Sequence, residues 1–340
     1  MRIVLDGMGS DNHPLPEVDA AVQFASLYGE EVILVGDQDV LSSLLKELNP
    51  TYAPVSIVHA PDIFTMTDKL SGSSLRKARS SMGVAMDLLK SNEVDAVVSA
   101  GNTGGVMAVG LVRLGRIRGV KRPALMALFP VSSGGKCVVA DIGANTECKP
   151  EYLVQFAIMG SVYAEILLDI DNPRVALISN GEEKGKGNDL VKKTYPLLMD
   201  IGLNFIGNVE GKELFGGGAD VVIMDGFTGN ILLKSSEAVA KMITQKLRQN
   251  LRSSIRTKIG AVLAMPAFLD LRKEMDPMEV GATPLLGLDG LVFVAHGRSN
   301  ARALVNSLKL ARQAVSLGLM NSLRDSIEHR LHSITTKGNK

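Results

Sequence analysis

The chain has 340 residues, of which 46% are hydrophobic and 21% charged, with a formal net charge of +1. This is a globular mix, long enough for one large domain or two smaller ones, and its near-neutral charge argues against a general nucleic-acid binder. Aromatics are only 4% and tryptophan is absent, so the core must be aliphatic, and the two cysteines, Cys137 and Cys148, form no disulfide framework. A reducing, cytoplasmic compartment is the expectation.

Residues 1–6 read as a first strand and not as a signal peptide. No apolar run approaches the roughly 18 residues of a membrane span. The strand at 3–5 runs into a glycine-rich polar loop, Asp6-Gly7-Met8-Gly9-Ser10-Asp11-Asn12-His13-Pro14, and a helix is predicted over 16–27. A strand at 32–35, a helix at 40–48 and a strand at 55–59 follow. Residues 61–74 are polar and irregular, as in a mobile loop. A helix over 76–89 places Met82, Ala85, Met86 and Leu89 on one face. The strand at 96–99 ends in Ala100-Gly101-Asn102-Thr103-Gly104-Gly105, with a packed helix over 106–114.

Strands are predicted at 124–129 and 137–140, the second ending in Asp141-Ile142-Gly143-Ala144-Asn145-Thr146. A helix over 151–168 is entered through Pro150. The strand at 175–178 leads into a loop that carries Asn180, Gly181, Gly185, Lys186, Gly187 and Asn188. A helix at 189–199 and a short strand at 204–206 come next. The apolar run 221–224 ends in Asp225-Gly226-Phe227-Thr228-Gly229-Asn230, and an unusually long helix is predicted from Ile231 to about 259, continued by a piece at 265–275. Residues 280–290 read as a loop and 291–295 as a last strand, ending in His296-Gly297-Arg298-Ser299-Asn300. One or two helices finish the chain, and 335–340 read as a flexible tail. Alternating strands and helices predict an α/β fold with a mostly parallel sheet and helices on both faces. We expect one α/β domain over 1–334, with a helical protrusion at about 236–275.

Apolar strands repeatedly end in Gly, Asn, Asp and Thr, at Asp6, Gly101, Asp141, Asn180, Asp225 and His296. Any one such turn is explained by backbone geometry alone. Six on one edge of a parallel sheet would make a cleft rich in N–H donors and amides, suited to phosphate. The candidate substrate-binding set is therefore Asp6, Gly9, Asn102, Thr103, Gly104, Asn145, Asn188, Asp225, Gly226, Thr228, Gly229 and His296. Lys186, between Gly185 and Gly187, suits phosphate neutralisation as a point charge, or is a solvated loop lysine. His13 and His296 each sit at a strand end, where a lone histidine is more often a local hydrogen-bonder than a catalyst.

Familiar alternatives fail on spacing. Gly7 and Gly9 lack the third glycine of a dinucleotide fingerprint, and Gly181 and Lys186 lack P-loop spacing. No zinc motif, Cys-x-x-Cys or nucleophile elbow is present, and no metal or cofactor is expected.

Arg113, Arg116, Arg118, Lys121 and Arg122 crowd one short window, either a solvated face or a docking site for an acidic partner. Lys246, Arg248, Arg252, Arg256 and Lys258 precede an apolar stretch carrying Ile259, Val262 and Leu263. A basic stem with an apolar tip matches an interfacial membrane contact, and a helical pair buried in a dimer is the competing reading.

Seven segments taken together carry a resemblance. They are Asp6-x-Met8-Gly9-x-Asp11-x-x-Pro14, Ser99-Ala100-Gly101-Asn102-Thr103-Gly104, Gly119-x-x-Arg122-Pro123-Ala124, Asp141-x-Gly143-Ala144-Asn145, Lys186-Gly187-Asn188, Asp225-Gly226-Phe227-Thr228-Gly229-Asn230 and Ala295-His296-Gly297-x-Ser299. In this order they resemble the bacterial phosphate acyltransferases of phospholipid synthesis, over roughly residues 1–330. The resemblance implies a homodimeric, Rossmann-like three-layer α/β/α enzyme without metal or nucleotide. It implies conversion of long-chain acyl-acyl-carrier-protein and inorganic phosphate into acyl phosphate, for use by a membrane glycerol-3-phosphate acyltransferase. It places Lys186 and Asn230 at the active site and Ile259, Val262 and Leu263 at a peripheral contact with the inner face of the membrane. Arg113, Arg116 and Arg118 are then candidates for carrier-protein docking.

Two departures are visible: Gly7 and Ser10 stand where the family usually has Ala and Gly, and Glu279-Val280-Gly281-Ala282-Thr283 replaces a Tyr-Gly-Gly-Ala run. Competing readings are a phosphate acetyl- or butyryltransferase using acyl-CoA, a decarboxylating dehydrogenase on a related scaffold, and a membrane-bound scaffold protein without activity.

Overall fold

A computed structural model of the chain describes residues 1–63, 79–275 and 277–337. The first part runs β1 (Arg2–Asp6), α1 (Leu15–Tyr28), β2 (Glu31–Gly36), α2 (Gln38–Leu48), β3 (Val55–His59), α3 (Ser81–Lys90), β4 (Ala96–Ser99) and α4 (Thr103–Arg113). The second runs β5 (Ala124–Pro130), β6 (Lys136–Ala140), α5 (Pro150–Leu168), β7 (Val175–Ile178), α6 (Asp189–Asp200), β8 (Phe205–Val209), α7 (Gly211–Gly216) and β9 (Val221–Ile223). Three helices, α8 (Gly226–Leu251), α9 (Ile255–Leu263) and α10 (Met265–Met275), form an arm, followed by α11 (Pro277–Val280). The chain closes with β10 (Ala282–Leu286), β11 (Val292–Ala295), α12 (Ala301–Ser316) and α13 (Leu319–Lys337).

The expected α/β fold is present. Among the described residues one 11-stranded sheet has the order β3-β2-β1-β4-β11-β10-β5-β6-β9-β7-β8. Strand residues alternate between two cores, the signature of a sheet covered on both faces. Ile3, Leu5, Val32, Leu34, Val221 and Ile223 pack with α1, α5, α12 and α13 on one side. Val4, Ile33, Val35, Val97 and Val222 pack with α3 and α4 on the other. The layers are therefore helix, sheet, helix. Helix α5 is the one helix among the described residues that is long and apolar enough to cross a membrane, but 72% of its apolar window is buried in the body.

Several boundaries differ from those expected. Residues 282–286, read as loop, form β10, which sits in the middle of the sheet between β11 and β5. Glycine and proline content hid it, because Pro284 lies within the strand and Gly281 and Gly287 bound it. The long helix begins at Gly226, five residues before the predicted start, and breaks at 252–254, where Ser254 caps α9 in a capping box with Thr257. Helix α13 continues to Lys337, into the stretch expected as tail. The expected loop from residue 64 on, and the first residues of the predicted helix at 76, lie outside the described residues.

Candidate active site

The largest correction concerns the strand ends. Strands β1, β2, β3, β4 and β11 run parallel to one another, and β6, β7, β8 and β9 do likewise. The two sets are joined through β10 and β5 by three consecutive antiparallel pairings. An odd number of reversals leaves the two halves running in opposite directions. The ends at Asp6, Gly101 and His296 thus lie on one margin of the sheet, and those at Asp141, Asn180 and Asp225 on the other. The expectation of six ends on one edge fails because composition carries no information on strand direction.

On the second margin, buried Asp141 organises the local backbone. One carboxylate oxygen accepts from Leu125 N (3.1 Å), Gly143 N (3.3 Å) and Ala144 N (3.1 Å). The other accepts from Asn145 N (2.7 Å) and Asn145 Nδ2 (2.9 Å). Burial raises the Asp141 pKa, and the surrounding hydrogen-bond donors oppose that shift. The second hydrogen of the Asn145 amide goes to Pro123 O (2.7 Å), so both of its N–H donors are committed to structure.

Helix α8 docks onto this loop. The Gly226 N–H donates to Asn145 O (2.8 Å). A Cβ at Gly229 would stand 1.9 Å from Asp141 O, and one at Gly226 would stand 2.6 Å from Asn145 O. The two glycines are there for close approach. Asp225 caps the helix, accepting from Thr228 N (2.9 Å) and Thr228 Oγ1 (2.8 Å), and the Gly229 N–H bonds to Asp225 O (2.9 Å). The turn is therefore a satisfied N-cap and not an open row of N–H donors for an anion, as its glycines suggested.

The neighbouring strand β7 leads into the Lys186 loop. Asn180 Oδ1 accepts from Gly187 N (2.9 Å), and Asn188 caps α6 through Val191 N (3.0 Å). Gly187 has φ +96, and a Cβ there would clash with Val191 at 2.5 Å, so only glycine fits beside the lysine. The Lys186 stem lies over Gly181, its Cγ 2.9 Å from where a Cβ would be. Asn230 lies over Gly143, its Cβ 3.6 Å from the corresponding point. Of the polar side chains that the sequence marks on this margin, only Lys186 and Asn230 are exposed with no hydrogen-bond partner among the described residues. They sit beyond the ends of adjacent strands β7 and β9.

The first margin differs in kind. Asp6 is buried and accepts from Ser99 Oγ (2.7 Å) and Met8 N (3.3 Å). Glu17, also buried, accepts from Ser10 N (2.9 Å). Burial raises the pKa of both acids. The hydroxyls of Ser10 and Ser299 and the second oxygen of Glu17 are buried without partners. A would-be Cβ at Gly9 lies 2.9 Å from Gly101 N, so the β1 and β4 loops touch, and Asp11 N donates to Gly297 O (2.7 Å), tying in the β11 loop. Asn102 caps α4 through Gly105 N (3.1 Å), with Thr103 exposed and Gly104 half-buried at the helix start. His296 is exposed, and its Nδ1 accepts from Arg298 N (3.1 Å).

In the basic window, Arg113 pairs with Asp87 at 3.2 Å and Arg116 donates to Lys121 O, while Arg118 is exposed. Beyond residue 240 every residue of α8 up to 250 is exposed. Ile259, Val262 and Leu263 at the end of the arm are 59%, 70% and 78% exposed.

A sheet of this mixed order, with polar turns at both margins, defines a class. The fold matches a phosphotransacetylase from Streptococcus pyogenes with TM-score 0.59 at 17% identity, covering 96% of this chain and 94% of that one. It also matches a branched-chain phosphotransacylase from Enterococcus faecalis with TM-score 0.57 at 14% identity, covering 93% and 99%. At these identities the likeness is one of fold. Sequence is more specific. The family described as fatty acid synthesis protein matches residues 1–322. Phosphate acyltransferases from Myxococcus xanthus, Geotalea uraniireducens and Dictyoglomus turgidum are 45%, 43% and 43% identical. They cover 95%, 96% and 99% of this chain and 92%, 94% and 100% of their own. The chain belongs to the phosphate acyltransferase family and is an acyl-transferring enzyme.

Proposed function

We propose that the enzyme forms acyl phosphate from a long-chain acyl-acyl-carrier-protein and inorganic phosphate, as a step toward phospholipid. The observation that supports this most is the pair Lys186 and Asn230, exposed and unengaged above a margin whose other marked polar groups are committed to structure. A phosphate oxygen attacks the thioester carbonyl, the C–S bond breaks, and the carrier thiol leaves with a proton. Phosphate is itself the nucleophile, so no serine or cysteine need serve as one. Lys186 neutralises phosphate and Asn230 donates to the developing oxyanion. Asp141, Asn145 and Asp225 position the start of α8, and so Asn230, without touching substrate.

The first margin belongs to the same cleft in this reading. Five strand steps separate β4 from β9. A twist of roughly −20 to −25° per step turns the opposed halves so that both rows of ends face a common side. The Asp6–Gly9 loop, Asn102, Thr103, Gly104 and His296 then form the opposite wall, with the buried acids beneath it shaping the wall and not binding phosphate directly.

The arm extends this reading. Its fully exposed stem suits a second copy of the chain, and its apolar end suits the inner face of the cell membrane, where a glycerol-3-phosphate acyltransferase takes the product. The enzyme is then a cytoplasmic, peripheral homodimer. Arg118, the one arginine of the window's first three without a described partner, leads the docking of the acidic carrier.

The test is a donor assay with inorganic phosphate. Acyl phosphate is expected from long-chain acyl-acyl-carrier-protein in preference to acetyl- or butyryl-CoA. Preference for the short CoA esters would favour the acetyl- or butyryltransferase reading. Vesicle flotation of wild type against Ile259→Ser/Leu263→Ser checks the arm, with loss of binding expected in the variant.

A further inference from the structure

Two large apolar side chains stand at the site with no role in the chemistry above. Phe227 is 59% exposed and Ile231 50% exposed, and they bracket Asn230 on the first turns of α8. At 100° per residue they lie about 40° apart on one exposed face of the helix. The opposite face carries Leu232 and Leu233, which pack against the core. The outward face is therefore apolar where it leaves the site, at Phe227 and Ile231, and turns polar one turn further on, at Lys234 and Ser235. With a rise of 1.5 Å per residue, Phe227 to Ile231 spans about 6 Å, room for the first carbons of an acyl chain. Lys234 closes this apolar stretch and pairs with Glu237 at 3.1 Å.

We infer that Phe227 and Ile231 are specificity-determining residues, holding the first carbons of a long acyl chain against the outer face of α8 with the thioester at Asn230. The inference rests on the proposed reaction and deepens it. The occupant follows from position. A chain attached to a carbonyl at Asn230 has Phe227 one turn before it and Ile231 beside it, and both are wetted unless something apolar covers them. A short acyl group ends before it gains this contact, so the face discriminates by chain length.

The experiment compares hexadecanoyl and butanoyl thioesters of one acyl carrier protein with wild type, Phe227→Ser, Ile231→Ser and Phe227→Leu, after circular dichroism confirms folding. Loss of the Phe227 contact is expected to lower the long-to-short ratio of kcat/KM about tenfold, Ile231→Ser to lower it less, and Phe227→Leu to restore most of it. Equal losses on both donors would overturn the inference while leaving the reaction standing, and so would a ratio that does not move because a second copy of the chain covers this face. Absence of acyl phosphate from either donor with wild type would overturn the proposed reaction and this inference together.

Discussion

The two margins of the sheet carry the same sequence signature and have been built for different ends. At the β6, β9 and β7 margin the buried acid, Asp141, is surrounded by five hydrogen-bond donors, and the groups left over, Lys186 and Asn230, face solvent. At the β1, β4 and β11 margin the buried acids Asp6 and Glu17 have fewer donors, and three polar atoms have no partner. The first arrangement uses a buried acid to fix a loop and leaves two polar side chains exposed beside it. The second stores polar groups beneath a wall. An apolar strand ending in Gly, Asn and Asp therefore marks a loop that must be fixed, and only partner geometry tells whether the loop also does chemistry.

Replacing Asp141 with Ala should break this contrast most severely. Four backbone N–H groups and an amide lose their acceptor, and stability is expected to fall by at least about 3 kcal/mol, read by chemical denaturation. Asp6→Ala, which strands fewer donors, should cost less; an equal or larger loss at Asp6 would erase the distinction. Lys186→Ala and Asn230→Ala should show the opposite behaviour. Each is expected to lower kcat about a hundredfold with a nearly unchanged melting temperature, since neither side chain has a hydrogen-bond partner among the described residues. A melting point that falls with activity would make them structural groups like the rest of the margin.

Smaller effects refine the comparison. Asn188→Ala and Asn102→Ala each remove a helix cap, one on either margin, and each should cost about 1 kcal/mol of stability. A much larger effect on KM for phosphate at one of the two would identify the cap that also touches substrate. Glu17→Gln probes the wall. Burial raises the folded pKa of Glu17 above 4.5, so the protonated group stabilises the fold below that pH and the stabilisation is lost as pH rises through the raised value. The variant does not titrate. Its melting temperature relative to wild type should therefore rise with pH above 4.5, and the two curves should converge in more acid solution.

Much of this was legible in the sequence. The strands at 3–5, 32–35 and 175–178 were visible as apolar runs, and Lys186 stood out because a lysine between glycines at a strand end has little structural use. Two things were hidden. Strand direction leaves no local trace, so the six polar ends could not be sorted into two rows. The helix caps left no separate trace either. Asp, Asn and Gly serve a helix end or a tight turn as readily as a binding loop, and only Thr228, Val191 and Gly105 reveal the caps that Asp225, Asn188 and Asn102 make here. Gly226 and Gly229, which suggested an open cradle, are small because α8 rests on the Asp141 loop.

The strands that join the two halves come from late in the chain. Between the first four strands and the β5 to β9 set lie only β10 and β11, residues 282–295, supplied after the arm has been made. A nascent chain that has reached the arm thus carries two half-sheets, each with a raw inner edge at β4 and at β5, together with an apolar helical tip. Such edges pair readily with foreign strands. Synthesis of this enzyme therefore passes through a window in which two sticky edges await one hairpin, and pausing or truncation just before residue 282 is where aggregation should begin.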